Sequence, residues 1–145
     1  GHGLQDENGN SYILPIDFTK DSDIKEDAIS VRELVHLYSR NDNNRNLFIL
    51  DACRQDYNSS FSQPNMKEPV NTKLAFSTSF GSLAFDNPEL DNSLYSSTLA
   101  NALKKTNLSI YQVLQSTWSQ VYIKSKHKQS PAQHFGYILE NYYLK

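Results

Sequence analysis

Leu47-Phe48-Ile49-Leu50-Asp51-Ala52-Cys53-Arg54 decides how this 145-residue chain is read. Four consecutive apolar residues bounded by polar ones fit a strand buried on both faces of a sheet. That strand delivers its carboxyl end to Cys53, the single cysteine of the chain. His2 stands 51 positions upstream, in Gly1-His2-Gly3, also among small residues. A lone cysteine and a distant histidine, each in a small-residue turn, form the pattern of a nucleophile and a base brought together by folding. Without such a context a free cysteine is more often a buried structural thiol.

Strands alternating with helices predict an α/β domain with parallel crossovers. Tyr12 to Asp17 reads as a short extended segment ended by Pro15, and Phe18 to Asp27 as polar loop. Ser30-Val31-Arg32-Glu33 is a capping box opening a helix to about Ser39, with Val31, Leu34, Val35 and Tyr38 on one face. Asn41 to Asn44 breaks it. Residues 54–72 are polar, contain Pro64 and Pro69, and read as a long exposed loop. Leu74 to Thr78 is a second buried strand, followed by loop from Gly81 to Asn92. Ser93 to Lys105 reads as a helix with Leu94, Leu99 and Leu103 inward. A second capping box, Ser109 to Gln112, opens a helix to about Lys124 with Ile110, Val113, Leu114, Trp118 and Val121 on one stripe. Gln129 to Gln133 breaks that helix, and Phe135 to Leu139 is a final strand. In this arrangement Gly1-His2-Gly3 ends one strand and Asp51-Ala52-Cys53 ends the next parallel one, with the helix from about Ala28 to Ser39 as crossover. Both turns then lie at the carboxyl edge of the sheet, where open α/β folds place their sites.

Composition narrows the function. With 38% hydrophobic residues, nine Tyr and seven Phe, the chain can bury a substantial core. A formal charge of −2 and the lack of a basic run argue against nucleic acid and anionic membrane surfaces as partners. One cysteine rules out an internal disulfide framework and favours a reducing cytoplasmic location. No apolar run approaches the roughly 18 residues of a membrane span. No His/Cys spacing of zinc type is present, and His36, His127 and His134 stand apart from any such pattern. The Asp/Asn-rich stretches Asp17 to Asp27 and Asp86 to Asn92 lack a calcium-loop pattern, so no metal or cofactor is expected.

Several motifs occur together in order. Gly1-His2-Gly3, Tyr12 to Asp17 and Leu47 to Arg54 are followed by Ala75-Phe76-Ser77-Thr78-Ser79, Gly81 to Asp86 and Asn92-Ser93-Leu94-Tyr95-Ser96-Ser97. This series resembles the caspase-like cysteine peptidases of peptidase family C14, closest to the bacterial branch related to metacaspases and orthocaspases. The resemblance implies a caspase-like fold, a mostly parallel central sheet flanked by helices. Residues 1–145 would be the carboxyl-terminal portion of the domain, with the strand leading into Gly1 lying upstream. It also implies Cys53 as nucleophile, His2 as base, and the backbone amides of Gly3 and Cys53 as oxyanion donors. Asp51 stands two before the nucleophile, where the metacaspase branch has Asp. By resemblance it lines the primary specificity pocket, with Asp86 as a second acid and Ser77, together with Ser79, on the substrate-binding strand.

The activity so implied is a cysteine endopeptidase cleaving a protein or peptide after Arg or Lys, since a carboxylate pairs with a guanidinium and repels an aspartyl side chain. Further implied partners are the preceding part of the same domain and a regulatory or sensor module. Calcium activates some relatives, and some are cut in the loop corresponding to 54–72. The alternative is a non-enzymatic caspase-like scaffold within a larger signalling or defence protein. A redox thiol is disfavoured, because no Cys-x-x-Cys or resolving cysteine is present.

Overall fold

The apolar run around Phe48 forms β4 (Asn46–Leu50), which pairs in parallel with β6 (Thr72–Phe76) in register Phe48 to Leu74 and Leu50 to Phe76. In this computed structural model the described residues are 1–39, 45–56, 69–82, 84, 92–135 and 143. β7 (Ala132–Phe135) adds antiparallel to β6, giving the order β4-β6-β7. Strand alternation sends Phe48, Leu50, Leu74 and Phe76 to one face, where Val31 and Val35 of α2 (Val31–Tyr38) pack. Leu47 and Ala75 face the other side, against α3 (Leu94–Leu103) and α4 (Ile110–Lys124). Helices therefore cover both faces of the sheet, and the expected α/β architecture of a caspase-like fold holds, but with one parallel and one antiparallel pairing among the described strands this sheet is mixed rather than mostly parallel. Every residue of β6 is buried. β4 is less enclosed than its apolar run predicts: it lies at one end of this strand order, and Ile49 stays 39% exposed.

A second sheet, of four shorter strands, carries the amino terminus. Gly3 does not close a strand but opens β1 (Gly3–Gln5), which turns back antiparallel onto β2 (Ser11–Ile13) and then β3 (Ile29–Ser30). The Asp6 carboxylate makes the turn, accepting from the amides of Asn8 (3.0 Å) and Asn10 (2.8 Å), while Gly9 supplies a φ of 77°. On its other edge β1 pairs in parallel with β5 (Gln55–Asp56), Leu4 opposite Gln55. The exposed loop expected over 54–72 is thereby corrected at both ends. Arg54 is only 2% exposed, Gln55 and Asp56 have ladder partners, and Thr72 opens β6 fully buried. Polar letters mislead here because aromatic rings enclose the guanidinium and β1 takes up the backbone. Residues 57–68 lie outside the described residues.

Local signals place the helices well. Within the stretch read as loop, one helical turn, α1 (Ile24–Asp27), forms because Asp23 caps it by accepting from the Lys25 amide at 2.7 Å, and Ile24 is buried. Ser30 caps α2 as expected, but Tyr38, placed on the inner stripe, is 61% exposed and meets Phe48 only edge-on. The buried stripe of α3 is Tyr95, Thr98, Leu99 and Ala102, so of the three leucines expected inward Leu103 turns outward. Thr98 and Ala102 are small enough to let α4 approach, and burial follows that fit rather than hydropathy alone. The capping box of α4 is complete, with the Ser109 hydroxyl accepting from the Gln112 amide and the Gln112 side chain accepting from the Ser109 amide. Ile110, Val113, Leu114 and Val121 are buried as expected, Thr117 joins them, and Trp118 is half-buried and stacked on Tyr122. β7 begins at Ala132, three residues before the strand expected from Phe135; residues 136–139 of that strand lie outside the described ones. Among the described residues, no helix is long and apolar enough to cross a membrane.

Candidate active site

The end of β4 is fixed by its neighbour strand. The Ser77 amide donates to the Leu50 carbonyl (2.9 Å), the Ser77 hydroxyl to the Ala52 carbonyl (3.3 Å), and the Arg54 amide to the Ser82 carbonyl (3.0 Å). Cys53 sits between these anchors as a free, half-buried thiol. The amino-terminal segment closes on the same turn. Gly1 nitrogen donates to the Asp51 carbonyl at 3.1 Å, and the His2 carbonyl accepts from the Leu14 amide at 3.0 Å. Gly3 presses against the turn from the side: a methyl group there would lie 2.7 Å from the Cys53 carbonyl oxygen, 3.1 Å from that of Tyr12 and 3.2 Å from the Ala52 Cβ. Only glycine permits this approach. His2, exposed, and Cys53 thus line one cavity of about 380 Å³ together with Asp51, Ser93 and Ser96.

Asp51 belongs to that cavity and is held firmly. The Ser96 hydroxyl donates to Asp51 Oδ2 at 2.5 Å, and the Ser93 hydroxyl donates to the same oxygen. Ser93 also accepts from the Ser96 amide as the cap of α3. Behind this group the Tyr95 phenol is pushed up, chiefly by burial and then by the Asp51 charge. Of the other expected site residues, Ser77 is fully buried beneath the turn rather than lining the cavity, and its hydroxyl is occupied by Ala52. Ser79 donates to the Ser130 carbonyl at 2.7 Å. Asp86 lies outside the described residues. Among the described residues no group of three His, Cys, Asp or Glu side chains could hold a metal ion.

Next to Cys53, Arg54 is buried in an aromatic cage. Its guanidinium carbon lies 3.8 Å from the Phe76 ring centre and 3.7 Å from that of Phe80, and Nη2 donates to the Ser11 hydroxyl at 3.1 Å. Nε and Nη1 have no hydrogen-bond partner among the described residues, and burial lowers the group to about 9. His134 stands edge-on to both rings, and burial followed by the Arg54 charge lowers it to about 4. Arg54 therefore ties the Cys53 turn to the β1–β2 hairpin through Ser11 and to the segment after β6 through Phe80.

Sequence reasoning missed Ser93, Ser96 and the burial of Arg54. For the serines a signal existed, since hydroxyls three residues apart in a first helical turn share a face. A larger groove of about 880 Å³ runs along α2 and β3 past Tyr12, Ile29 and Arg32. It holds no thiol, and its Ser30 hydroxyl is engaged in capping α2.

No curated protein matches the chain. The sequence profile of the caspase domain, peptidase family C14, matches residues 1–142, nearly the whole length. That match and the cavity shared by His2 and Cys53 lead to one conclusion: the chain belongs to the caspase-domain family of cysteine peptidases.

Proposed function

We propose that the protein is a cysteine endopeptidase that cleaves after Arg or Lys, using Cys53 and His2. The observation that carries this reading is the single cavity lined by a free thiol, an imidazole and a carboxylate. In the proposed cycle His2 takes the Cys53 proton and the thiolate attacks the scissile carbonyl carbon. The backbone amides of Gly3 and Cys53 stabilise the resulting oxyanion. Collapse expels the amine, which takes its proton from His2 and leaves a thioester on Cys53. Water, deprotonated by His2, then hydrolyses the thioester and frees the thiol.

Asp51 supplies the negative charge that favours a basic side chain before the cut, and Asp86 is a candidate second acid. This acid two residues before the nucleophile supports placement in the metacaspase-related branch. The solitary thiol supports a reducing cytoplasmic setting, and the natural partners would be a protein substrate and a sensor module. In the full-length protein, Cys53→Ala is expected to abolish cleavage of Arg- and Lys-terminated fluorogenic peptides without lowering Tm. Asp51→Asn is expected to slow basic substrates while leaving alkylation of Cys53 by iodoacetamide unchanged. Cleavage by Cys53→Ala at the parent rate would refute the nucleophile, and parent-like selectivity between Arg and Asp peptides in Asp51→Asn would refute the pocket.

A further inference from the structure

We propose that Ser93 and Ser96 are positioning residues that limit the specificity pocket to one-point recognition of a cation, so that Lys and Arg are accepted nearly alike. The inference rests on the reading of Asp51 as the specificity acid. A carboxylate only accepts hydrogen bonds, so both serine hydroxyls must donate to it. Both reach the same oxygen, Oδ2, and the Ser96 contact of 2.5 Å has the length of a charge-assisted O–H···O⁻ bond. An oxygen offers two lone pairs, so Oδ2 is filled. Oδ1 receives neither hydroxyl and is the acceptor left for a guest.

This has a consequence for selectivity. Arginine gains its usual advantage over lysine from two parallel N–H···O bonds to the two oxygens of one carboxylate. With Oδ2 saturated, that fork cannot form at Asp51, and a guanidinium must bind end-on through Oδ1. An ammonium does the same as a point charge. Ser93 and Ser96 both line the cavity that holds Cys53 and His2, so the constraint acts where the substrate side chain would enter. Ser93 also caps α3, which ties the aim of the carboxylate to a ten-residue helix packed on α4 rather than to a free loop.

Matched fluorogenic peptides ending in Arg or Lys test this with full-length protein. The parent is expected to show Arg and Lys kcat/KM values within about threefold of each other. Ser96→Ala frees one lone pair on Oδ2, and the ratio should move toward Arg by about five- to tenfold, read in KM, as the second bond of the fork becomes available. Ser96→Thr keeps the hydroxyl and should keep the parent ratio. Iodoacetamide alkylation of Cys53 should be the same in all three, because none of them alters the thiol. An unchanged ratio in Ser96→Ala, or a parent preference for Arg above about tenfold, would overturn the inference. Asp51→Asn separates the two levels. If it slows basic substrates while Ser96→Ala leaves the ratio unmoved, only the serine role falls; if it leaves them at the parent rate, the Asp51 reading itself falls.

Discussion

Replacing Gly3 with alanine tests the contact that joins the two halves of the site. The added Cβ would lie 2.7 Å from the Cys53 carbonyl oxygen, with the Tyr12 carbonyl and the Ala52 Cβ at 3.1 and 3.2 Å. Ordinary contact begins near 3.4 Å, so β1 and the Cys53 turn must separate by about 0.7 Å. Two of the three neighbours are backbone atoms that cannot rotate away. They are held by the Leu4–Gln55 pairing, the Ser77 hydrogen bonds and the Arg54 anchor. Overpacking against such a frame costs about 3 kcal/mol, the upper part of the usual range. At roughly 4 °C per kcal/mol for a domain of this size, Tm should fall by about 12 °C. Activity should suffer more, since His2 is adjacent to Gly3 and a displacement approaching 1 Å can cost on the order of 100-fold. The assay pairs a thermal melt with kcat/KM on an Arg peptide and with the rate of Cys53 alkylation. Melting within 1–2 °C of the parent together with parent-like turnover would refute the reasoning, because the close approach would then place no demand on position 3.

Two further outcomes follow from the aromatic cage. His134, lowered from 6.5 to about 4 by burial and by Arg54, binds a proton in the unfolded chain before it does so in the folded one. Its contribution to stability is therefore present above pH 6.5 and lost as pH falls toward 4, by about 2 kcal/mol between pH 7 and pH 5. Urea midpoints at the two pH values should show that slope, and His134→Phe should flatten it; a slope equally steep in the variant would exclude His134 as its source. Arg54 has no acidic partner among the described residues and leaves two donors unmet, so Arg54→Met is expected to be milder than Arg54→Lys. Lysine places a strongly hydrated point charge between two rings, whereas methionine removes the charge and keeps much of the volume. Equilibrium unfolding ranks the pair, and a methionine variant less stable than the lysine variant by more than about 1 kcal/mol would show the cation to be net stabilising.

Features that depend on neighbours in the chain were legible without a structure. The apolar run before Asp51, the serine caps of α2 and α4 and the i, i+3, i+4 stripe of α4 each arise within a few residues. The ordered motifs around His2 and Cys53 carried the family. Features settled by distant contacts were misread. Arg54 looked like the start of a solvated loop, yet rings supplied by Phe76 and Phe80 bury it. Ser77 looked like a substrate contact, and its hydroxyl is bound to the Ala52 carbonyl 25 positions away in sequence.

Sequence alone determined the α/β class and the starts of α2, α3 and α4, and singled out Cys53 and His2 as candidates, because capping, periodicity and residue chemistry are local properties. Tertiary structure decided that Gly3 opens a hairpin instead of ending a strand, because its neighbours are Tyr12 and Cys53, fixed only once β1 lies between β2 and β5. It also decided that Asp51 is held by Ser93 and Ser96, more than forty positions further along the chain. A carboxylate can present any of its four lone pairs, and which remain for a guest depends on what α3 brings beside it.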